Sequence, residues 1–247
     1  WLIGADGANS IVRQLSGINF EGFTWEERFL VVSTTYDYKK YIKKLSYVNY
    51  YADPQQWFFL LKVPGLWRVM FPVQKEENEA DIFGAECVEN RMQWVQASPK
   101  TFEIAHRTLY KVHQRVAAKY REGRIFLIGD AAHINNPLGG MGMNGGIHDA
   151  FNLAEKISLF WHNQKNSSVL DLYEKQRRPI ALEYVNKQSI KNKQNLEANT
   201  LEAQEAFRVF LSELMEDRSR ARDYMMRVSM ISSLREARRN NYFSNRS

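Results

Sequence analysis

One stretch of the chain constrains its fold more than any other: RIFLIGDAAHINNPLGGMGMNGG, residues 124–146. It opens with an apolar run that ends just before Asp130, and it holds six of the chain's thirteen glycines. An apolar run without alternation is typical of a strand buried on both faces of an α/β layer. From Gly142 onward the apolar residues recur at helical spacing. They are Ile147, Ala150, Phe151, Ala154, Ile157 and Trp161. The stretch therefore predicts a buried strand, an acid, a glycine-rich loop and a helix.

A second turn near the start of the chain has the same arrangement. IGADG, residues 3–7, also places an acid, Asp6, directly after the end of an apolar strand. Ligands of open α/β sheets bind outside the carboxyl ends of the strands. An aspartate there can accept hydrogen bonds from two ligand hydroxyls, as a ribose or ribityl chain would offer, while an adjacent glycine allows close approach. An aspartate in such a turn can equally cap a helix, so for each turn taken alone both interpretations stay open.

The loop after Asp130 leads into the predicted helix start, and its residue types suit a ligand. A helix N-terminus has N–H groups without intrahelical partners and a partial positive charge. Glycines leave those N–H groups accessible to a negatively charged or electron-rich group. The loop is not a Walker loop, because the Gly-Lys-Ser/Thr ending is absent. It is also not a dinucleotide GxGxxG, because it lies too far beyond the strand. It suits a large planar ligand with a sugar-like arm on Asp130.

Between the two turns, the sequence predicts an antiparallel sheet. Short runs rich in β-branched and aromatic residues indicate strands. These runs cover residues 28–36, 47–52, 57–63, 67–73 and 101–109. A tight turn is expected at Pro64-Gly65, and a helix over residues 83–97. After residue 168 the pattern predicts two or three helices with a kink at Pro179. The fold class is therefore mixed, α+β or α/β.

Composition narrows the class of protein further. The apolar content of 44% is that of a globular chain, and no apolar run is long enough for a transmembrane segment. A single cysteine, Cys87, fits a reducing compartment, so a cytoplasmic protein is expected. The net charge of +6 lies in residues 175–247, where a basic helix could touch nucleic acid or a membrane surface. The positive residues are interspersed with acids, which favours a solvated helix face and no nucleic acid partner.

Two motifs and a tail segment resemble one known family. GADGANSIVR at residues 4–13 resembles the DG motif of the FAD-dependent aromatic hydroxylases, which have the para-hydroxybenzoate hydroxylase fold. GRIFLIGDAAHINNPLGGMGMNGGIHDAFNLAEKI at residues 123–157 resembles their GD motif, and LYEKQRRPIA at residues 172–181 resembles the segment that follows. Within that family, the chain resembles the phenol and hydroxyphenylpropionate hydroxylases. The paired motifs, in order and separated by a β-rich segment, make the resemblance specific.

The resemblance implies a domain organisation. Part of a Rossmann-like FAD-binding layer would come from residues 1–20 and 113–185, the latter carrying the GD motif and its helix. An antiparallel β-sheet substrate domain would occupy residues 21–112, and C-terminal helices residues 186–247. The family's strand-GxGxxG-helix, which binds the ADP half of FAD, has no counterpart here. Since the chain begins with Trp1 and its first methionine is Met70, we expect the polypeptide to begin upstream.

The resemblance also assigns roles to particular residues. Asp130 would hold the ribityl chain of FAD, and the loop from Pro137 to Gly142 would run beside the isoalloxazine ring. Asp6 and Gly7 would lie near the ribose or pyrophosphate. The backbone around Gly142 would face the pyrimidine edge of the ring, and one arginine would lie on the route of the nicotinamide donor. The implied cofactor-binding residues are Asp6, Gly7, Arg13, Gly129, Asp130, Pro137, Gly139, Gly140, Gly142, Met143 and Asn144.

The implied activity is that of a monooxygenase. NAD(P)H would reduce FAD, and the reduced flavin with dioxygen would hydroxylate a phenolic or related small aromatic substrate. No Cys/His cluster has metal-binding spacing, so no metal is expected. The catalytic base is not assigned, and a homo-oligomer stays open. The alternatives are a non-catalytic truncated fragment that acts as a binding module, and a related flavoenzyme such as a quinone-biosynthesis hydroxylase or a halogenase.

Several further residues have two interpretations each. His133 is either a proton relay or a positional residue beside the ribityl-binding acid. His148 and Asp149, on the following helix, are interpreted as capping or packing groups. Arg68 could meet a substrate carboxylate or face solvent. Four aromatic residues alternate on the predicted strands, where they line a substrate pocket or belong to the core. They are Trp57, Phe59, Trp67 and Phe71.

Overall fold

The structure is a computed structural model that describes residues 1–53, 55–162, 166–197 and 200–239. The chain packs into two compact units. Unit 1 takes in the described residues of 1–24 and 113–193 and those from 208 onward, and unit 2 those of 25–112 and 194–207. The predicted domain boundaries after residues 20, 112 and 185 stay a prediction.

Strands and short helices make up the described chain as far as Ile134, and helices alone follow from Met141. The strands are β1 (Leu2–Gly4), β2 (Phe20–Thr34), β3 (Val48–Tyr51), β4 (Phe58–Val63), β5 (Leu66–Val73), β6 (Ile104–Ala117), β7 (Arg121–Glu122), β8 (Ile125–Leu127) and β9 (His133–Ile134). The helices are α1 (Ile11–Leu15), α2 (Glu79–Ile82), α3 (Ala85–Val95), α4 (Met141–His162), α5 (Ser168–Ile180), α6 (Lys187–Leu196), α7 (Leu201–Glu216), α8 (Arg218–Val228) and α9 (Ile231–Arg239). This mixture of helices and antiparallel strands confirms the expected fold class.

Unit 1 contains a three-stranded sheet in the order β1-β8-β7. β1 and β8 are parallel, and β7 pairs antiparallel with β8. Phe126 and Leu127 of β8 are fully buried, as the apolar run predicts. They share a core with Tyr120, Leu153 of α4 and Tyr173 of α5. The last residues of β6 pair with β9 in the same unit. The paired strands β8 and β9 therefore fix the chain before and after Asp130.

Unit 2 is built on an antiparallel sheet in the order β3-β4-β5-β2-β6. β4 and β5 form a hairpin whose turn is Pro64-Gly65, as predicted, and Gly65 has a φ of 74° that favours glycine. Trp67 and Phe71 are fully buried and Trp57 is nearly so, while Phe59 is half-buried. Burial therefore places three of the four alternating aromatic residues in the core.

The two long strands exceed their predicted bounds. β2 begins at Phe20 instead of residue 28, and β6 runs from Ile104 to Ala117 instead of ending at residue 109. Much of the added length carries polar residues, and the first half of β2 is largely exposed. Backbone pairing extends a strand through residues whose side chains face solvent, so an apolar pattern marks only the half that packs on a core.

The C-terminal region differs most from its prediction. Residues 168–239 form five α-helices where described, not two or three. Pro179 lies within α5, which passes into a π-helical segment, Ala181–Asn186. Proline cannot donate the backbone hydrogen bond of a regular turn, and π-segments are one way in which helices absorb such a defect. Among the described residues, no helix combines the length and apolarity needed to cross a bilayer.

Candidate functional site

The two acidic turns lie at one edge of the unit 1 sheet. β1 and β8 are adjacent parallel strands, with Gly4 opposite Leu127. The N–H of Ile128 donates to the carbonyl oxygen of Gly4 at 3.0 Å, so the pairing continues to the strand ends. Because the carboxyl ends of parallel strands meet at the same edge, the turns that carry Asp6 and Asp130 are neighbours. This edge is where ligands of open α/β sheets bind.

Arg13 joins the two turns. Its guanidinium donates from Nη1 to the carbonyl oxygen of Ala131 at 2.9 Å and from Nη2 to that of Ala8 at 2.8 Å. It also lies 3.8 Å from the centre of the Phe20 ring. The side chain is 95% buried as a result, with 5% of the residue exposed. Arg13 thus connects the backbone after Asp6 to the backbone after Asp130, and its predicted place on the route of the nicotinamide donor stays a prediction.

The two aspartates have different environments. Asp6 Oδ2 accepts the N–H of Val12 at 3.1 Å, and a hydrogen bond from Ser10 lowers the pKa of the Asp6 carboxyl below its ordinary value. Asp6 therefore helps to fix the start of α1, as the capping alternative describes. Asp130 sits in a 3-10 turn, Gly129–Ala131, with an exposed side chain that has no hydrogen-bond partner among the described residues. Its carboxylate can accept hydrogen bonds from a ligand.

The glycine loop opens towards the start of α4. Gly139 and Gly140 have φ values of 103° and 64°, and the N–H of Gly140 donates to the carbonyl oxygen of Pro137 at 3.0 Å. A Cβ at Gly140 would meet nothing within 4 Å, so the backbone there is open. α4 begins at Met141, and the N–H groups of its first turn have no acceptor within the helix. The first turn of α4 thus offers backbone N–H donors next to the open backbone at Gly140.

Amide side chains hold this loop on its inner side. Gln114 Oε1 accepts the N–H of Asn136 at 3.0 Å, while Gln114 Nε2 donates to Ser189 Oγ at 3.0 Å. Asn192 Nδ2 donates to the carbonyl oxygen of Leu138 at 3.3 Å. A Cβ at Gly139 would come within 2.5 Å of that same amide nitrogen, so only glycine fits. The loop position is therefore set by residues of β6 and α6.

A buried carboxylate lies beneath both parts of the site. Asp149 of α4 has no exposed surface; its Oδ2 accepts the N–H of Gly129 at 3.1 Å and pairs with His133 Nε2 at 2.8 Å. Its Oδ1 accepts from Arg177 Nε at 2.7 Å. Burial alone would raise the pKa of Asp149, but His133 and Arg177 outweigh it and the pKa lies below its ordinary value. Burial of His133 and this pairing favour the positional interpretation of His133.

Local motifs in the sequence predict residues that would face a ligand, and that assignment stays a prediction. They do not predict the side chains that support the backbone of the site. The sequence predicts a capping or packing role for Asp149, and no pattern in it marks the amides of Gln114 and Asn192 or the side chain of Arg177. One signal for Asp149 was available, since an acid four residues after Gly145 continues a helical face. Arg68 is exposed. The described residues hold no group of three or more His, Cys, Asp or Glu side chains arranged for a metal.

Known proteins are similar to this chain in sequence and in architecture. Residues 1–188 match the family described as FAD binding domain. The chain is 36% identical over 189 residues to para-nitrophenol 4-monooxygenase of Pseudomonas sp. strain WBC-3, covering 74% of this chain and 46% of that protein. It is 33% identical to pentachlorophenol 4-monooxygenase of Sphingobium chlorophenolicum, over 73% of this chain and 34% of that one. The chain thus spans half or less of the length of these relatives.

Two solved structures are also similar to this chain in fold. The crystal structure of p-nitrophenol 4-monooxygenase from Pseudomonas putida DLL-E4 matches with a TM-score of 0.85 and 29% identity, over 95% of this chain and 59% of that one. A ternary complex of aklavinone-11 hydroxylase with FAD and aklavinone matches with a TM-score of 0.71 and 26% identity, over 78% of this chain and 37% of that one.

Proposed function

We propose, from the premise that the chain belongs to the FAD-dependent aromatic hydroxylases, that its full-length gene product is a monooxygenase. It would bind FAD, take electrons from NADH or NADPH and use dioxygen to hydroxylate a phenolic or related aromatic substrate. The observation that carries the proposal is the exposed carboxylate of Asp130, which has no partner in the described part of the chain, beside an open, glycine-lined helix start. A flavin would place its ribityl hydroxyls on this carboxylate and its electron-accepting ring at this helix start.

The residues present fit FAD at this site. Asp130 would accept hydrogen bonds from the ribityl hydroxyls. The adjacent Gly129 has a φ of 59° and no side chain, so a ligand can come close to the backbone there. The loop from Pro137 to Gly142 would run beside the isoalloxazine ring. The ribose or pyrophosphate would lie at the first turn, where Gly7 has a φ of 82° and open space at its Cβ position. Asp6 keeps one carboxylate oxygen on the backbone of α1.

The helix start has an electrostatic role in this proposal. When bound, FAD supplies the redox chemistry with dioxygen. The N–H groups of Gly142, Met143 and Asn144 point out of the N-terminus of α4 and would stabilise negative charge on the pyrimidine edge of the reduced ring. Fixed donors in a folded loop need no reorganisation when that charge develops. Gln114 and Asn192 keep those donors in place through their bonds to the loop.

The names of the relatives indicate a substrate class, and the single cysteine indicates a compartment. The relatives are named for para-nitrophenol and pentachlorophenol, which are both substituted phenols. We infer a small phenolic substrate by analogy with them. The cysteine Cys87 is half-buried and forms no disulfide, which fits a reducing compartment such as the cytoplasm.

The test is turnover by the full-length gene product. The purified protein is expected to be yellow and to oxidise NADH or NADPH faster when a substituted phenol is added, with one oxygen atom incorporated into the product. A panel of phenols, quinone precursors and halide-supplemented reactions separates a phenol hydroxylase from a quinone-biosynthesis hydroxylase or a halogenase. A colourless protein that gains no flavin spectrum with added FAD would overturn the proposal and favour a non-catalytic binding module.

A further inference from the structure

Asp149 connects the two surfaces assigned to the cofactor. On one side its carboxylate accepts the N–H of Gly129, the residue immediately before Asp130. On the other side it holds Arg177, whose Nη2 donates to the carbonyl oxygen of Gly145 in the second turn of α4 at 3.3 Å. One buried side chain is therefore bonded to the acid-bearing turn and, through Arg177, to the helix that carries the backbone donors.

The packing around Asp149 leaves little room for these parts to move separately. A Cβ at Gly145 would lie 2.9 Å from His133 Cε1, and a Cβ at Gly146 would lie 3.1 Å from the Cα of Gly129. The first turns of α4 thus rest directly on β9 and on the turn before Asp130. Only glycine allows this approach, so the carboxylate of Asp149 reaches all three of its partners over short distances.

The network is poorly optimised for stability alone. A buried carboxylate is costly unless every partner is satisfied, and here His133 Nδ1 and Arg177 Nη1 are buried without a hydrogen-bond partner among the described residues. Well-packed apolar residues of similar volume often stabilise a core as well as or better than a buried charge network. What the charged network supplies and an apolar cluster could not is a fixed hydrogen bond to the backbone of Gly129.

We propose that Asp149 is a positioning residue for the flavin site, setting the place of Asp130 relative to the N-terminus of α4. The proposal rests on the proposed function for the identity of the ligand. Asp149→Asn keeps the size of the side chain but leaves one acceptor oxygen facing three donors, from Gly129, His133 and Arg177. At least one donor then faces an amide N–H, and the turn before Asp130 or the start of α4 has to shift.

The first test is flavin binding by the full-length gene product. FAD fluorescence titration gives the dissociation constant, and visible circular dichroism of the bound flavin reports its surroundings. Asp149→Asn is expected to weaken FAD binding about tenfold or more, equivalent to about 1.4 kcal/mol, and to change the dichroism bands. The matched control is Asp171→Asn, an acid on α5 whose side chain is 55% exposed and pairs with Arg121. It should leave both readouts near wild type.

A second pair of variants covers the case in which Asp149→Asn fails to fold. His133→Gln keeps an N–H that can donate to Asp149, whereas His133→Leu removes it. We expect the glutamine variant to retain flavin affinity and dichroism close to wild type and the leucine variant to lose about tenfold in affinity. Equal affinity and equal dichroism in the two His133 variants would overturn the positioning role.

A third readout needs no flavin. Hydrogen exchange at the Gly129 backbone amide is expected to be faster in Asp149→Leu than in the wild type and in Asp171→Asn, because leucine removes both acceptor oxygens at similar side-chain size. Unchanged exchange at Gly129, or unchanged flavin affinity and dichroism in a folded Asp149→Asn protein, would overturn the inference. A wild-type protein that binds no FAD would count against the proposed function, while the exchange measurement would still decide the role of Asp149.

Discussion

Single side chains hold the backbone of the site in place. Arg13 shows this most directly, because its guanidinium bonds two carbonyl oxygens that are far apart in sequence, those of Ala8 and Ala131. A planar group with several fixed donors can satisfy two acceptors at once, whereas an ammonium on a flexible stem cannot reproduce that geometry. The two acidic turns are therefore fixed to each other by an arginine that has almost no exposed surface.

Replacing Arg13 by lysine should destabilise the protein. We expect Arg13→Lys to lower the free energy of unfolding by about 1–3 kcal/mol, because one or both charge-assisted hydrogen bonds are lost in a buried site. Urea unfolding measures this, with Arg68→Lys, at an exposed arginine of β5, as the control. If instead stability is unchanged and only the KM for NADPH rises, Arg13 contacts the nicotinamide donor and its structural role here is wrong.

The carboxyl of Asp149 gives a prediction about pH. Its pKa in the folded protein lies below the ordinary value of 3.8, so the unfolded chain binds more protons in acid than the folded one. This contribution to stability is complete above about pH 4 and is lost as the pH falls through the folded pKa. Asp149→Asn should therefore be less stable at neutral pH and should lose less further stability below pH 4. Guanidinium unfolding at a series of pH values checks this, and parallel acid limbs would contradict it.

Among residues, the sequence predicts candidates to face a ligand, which stay a prediction, but it does not predict the side chains that support them. Asp130 and the loop glycines stand in a strand-acid-glycine-helix order whose chemistry is local. The bonds of Asp149 to Arg177 and of Gln114 to Ser189 join residues 28 and 75 positions apart. No local pattern marks such partners, since they are brought together only by the fold.

At the level of elements, the sequence predicts that α4 is a helix but does not predict which of its faces is buried. The apolar residues that predicted the helix do not form its buried face, since Ile147 is 46%, Phe151 76% and Trp161 63% exposed. The buried face instead runs through Gly145, Asp149, Leu153, Lys156 and Phe160. Periodicity found the helix correctly, but its orientation depends on the close contacts of glycines with β9 and the Gly129 turn.

The glycines of α4 make this orientation testable. In an ordinary helix position Gly→Ala is stabilising by up to about 1 kcal/mol. At Gly145 the new Cβ would lie 2.9 Å from the buried, hydrogen-bonded ring of His133, so Gly145→Ala should instead be destabilising by about 1–3 kcal/mol. Gly142→Ala is the matched control, since its Cβ would meet only the side chain of Asn135. Thermal unfolding of both variants decides, and a Gly145→Ala protein as stable as Gly142→Ala would contradict the packing.

The helix boundaries in the C-terminal region could not be predicted from the sequence, and the reason is physical. α7 and α8 meet at Asp217, whose side chain accepts the N–H groups of Ser219 and Arg220 and so caps α8. α8 and α9 meet at Met230, which has a φ of 61°. Neither break uses glycine or proline, the usual markers of a helix end. Helices of this kind read as longer ones until their capping bonds are known.

On the scale of the whole molecule, the family match over residues 1–188 covers the DG turn, the sheet and the GD loop with its helix. The paired motifs carried the fold class correctly because each fixes a strand end and a helix start, and the sheet between them follows from alternation. Unit 1 brings Asp130, the glycine loop and their supporting side chains together within one compact body. We propose that this body holds the flavin through Asp130 and the start of α4.

The most direct test of that claim is a comparison of wild type with Asp130→Ala by FAD titration, followed by visible absorption and fluorescence. The side chain of Asp130 is exposed and has no hydrogen-bond partner among the described residues, so the substitution should change the free energy of unfolding by no more than about 0.5 kcal/mol. Loss of hydrogen bonds from a carboxylate to ligand hydroxyls should weaken FAD binding about tenfold or more. An Asp130→Ala protein that binds FAD as tightly as the wild type would contradict the role of Asp130 in flavin binding.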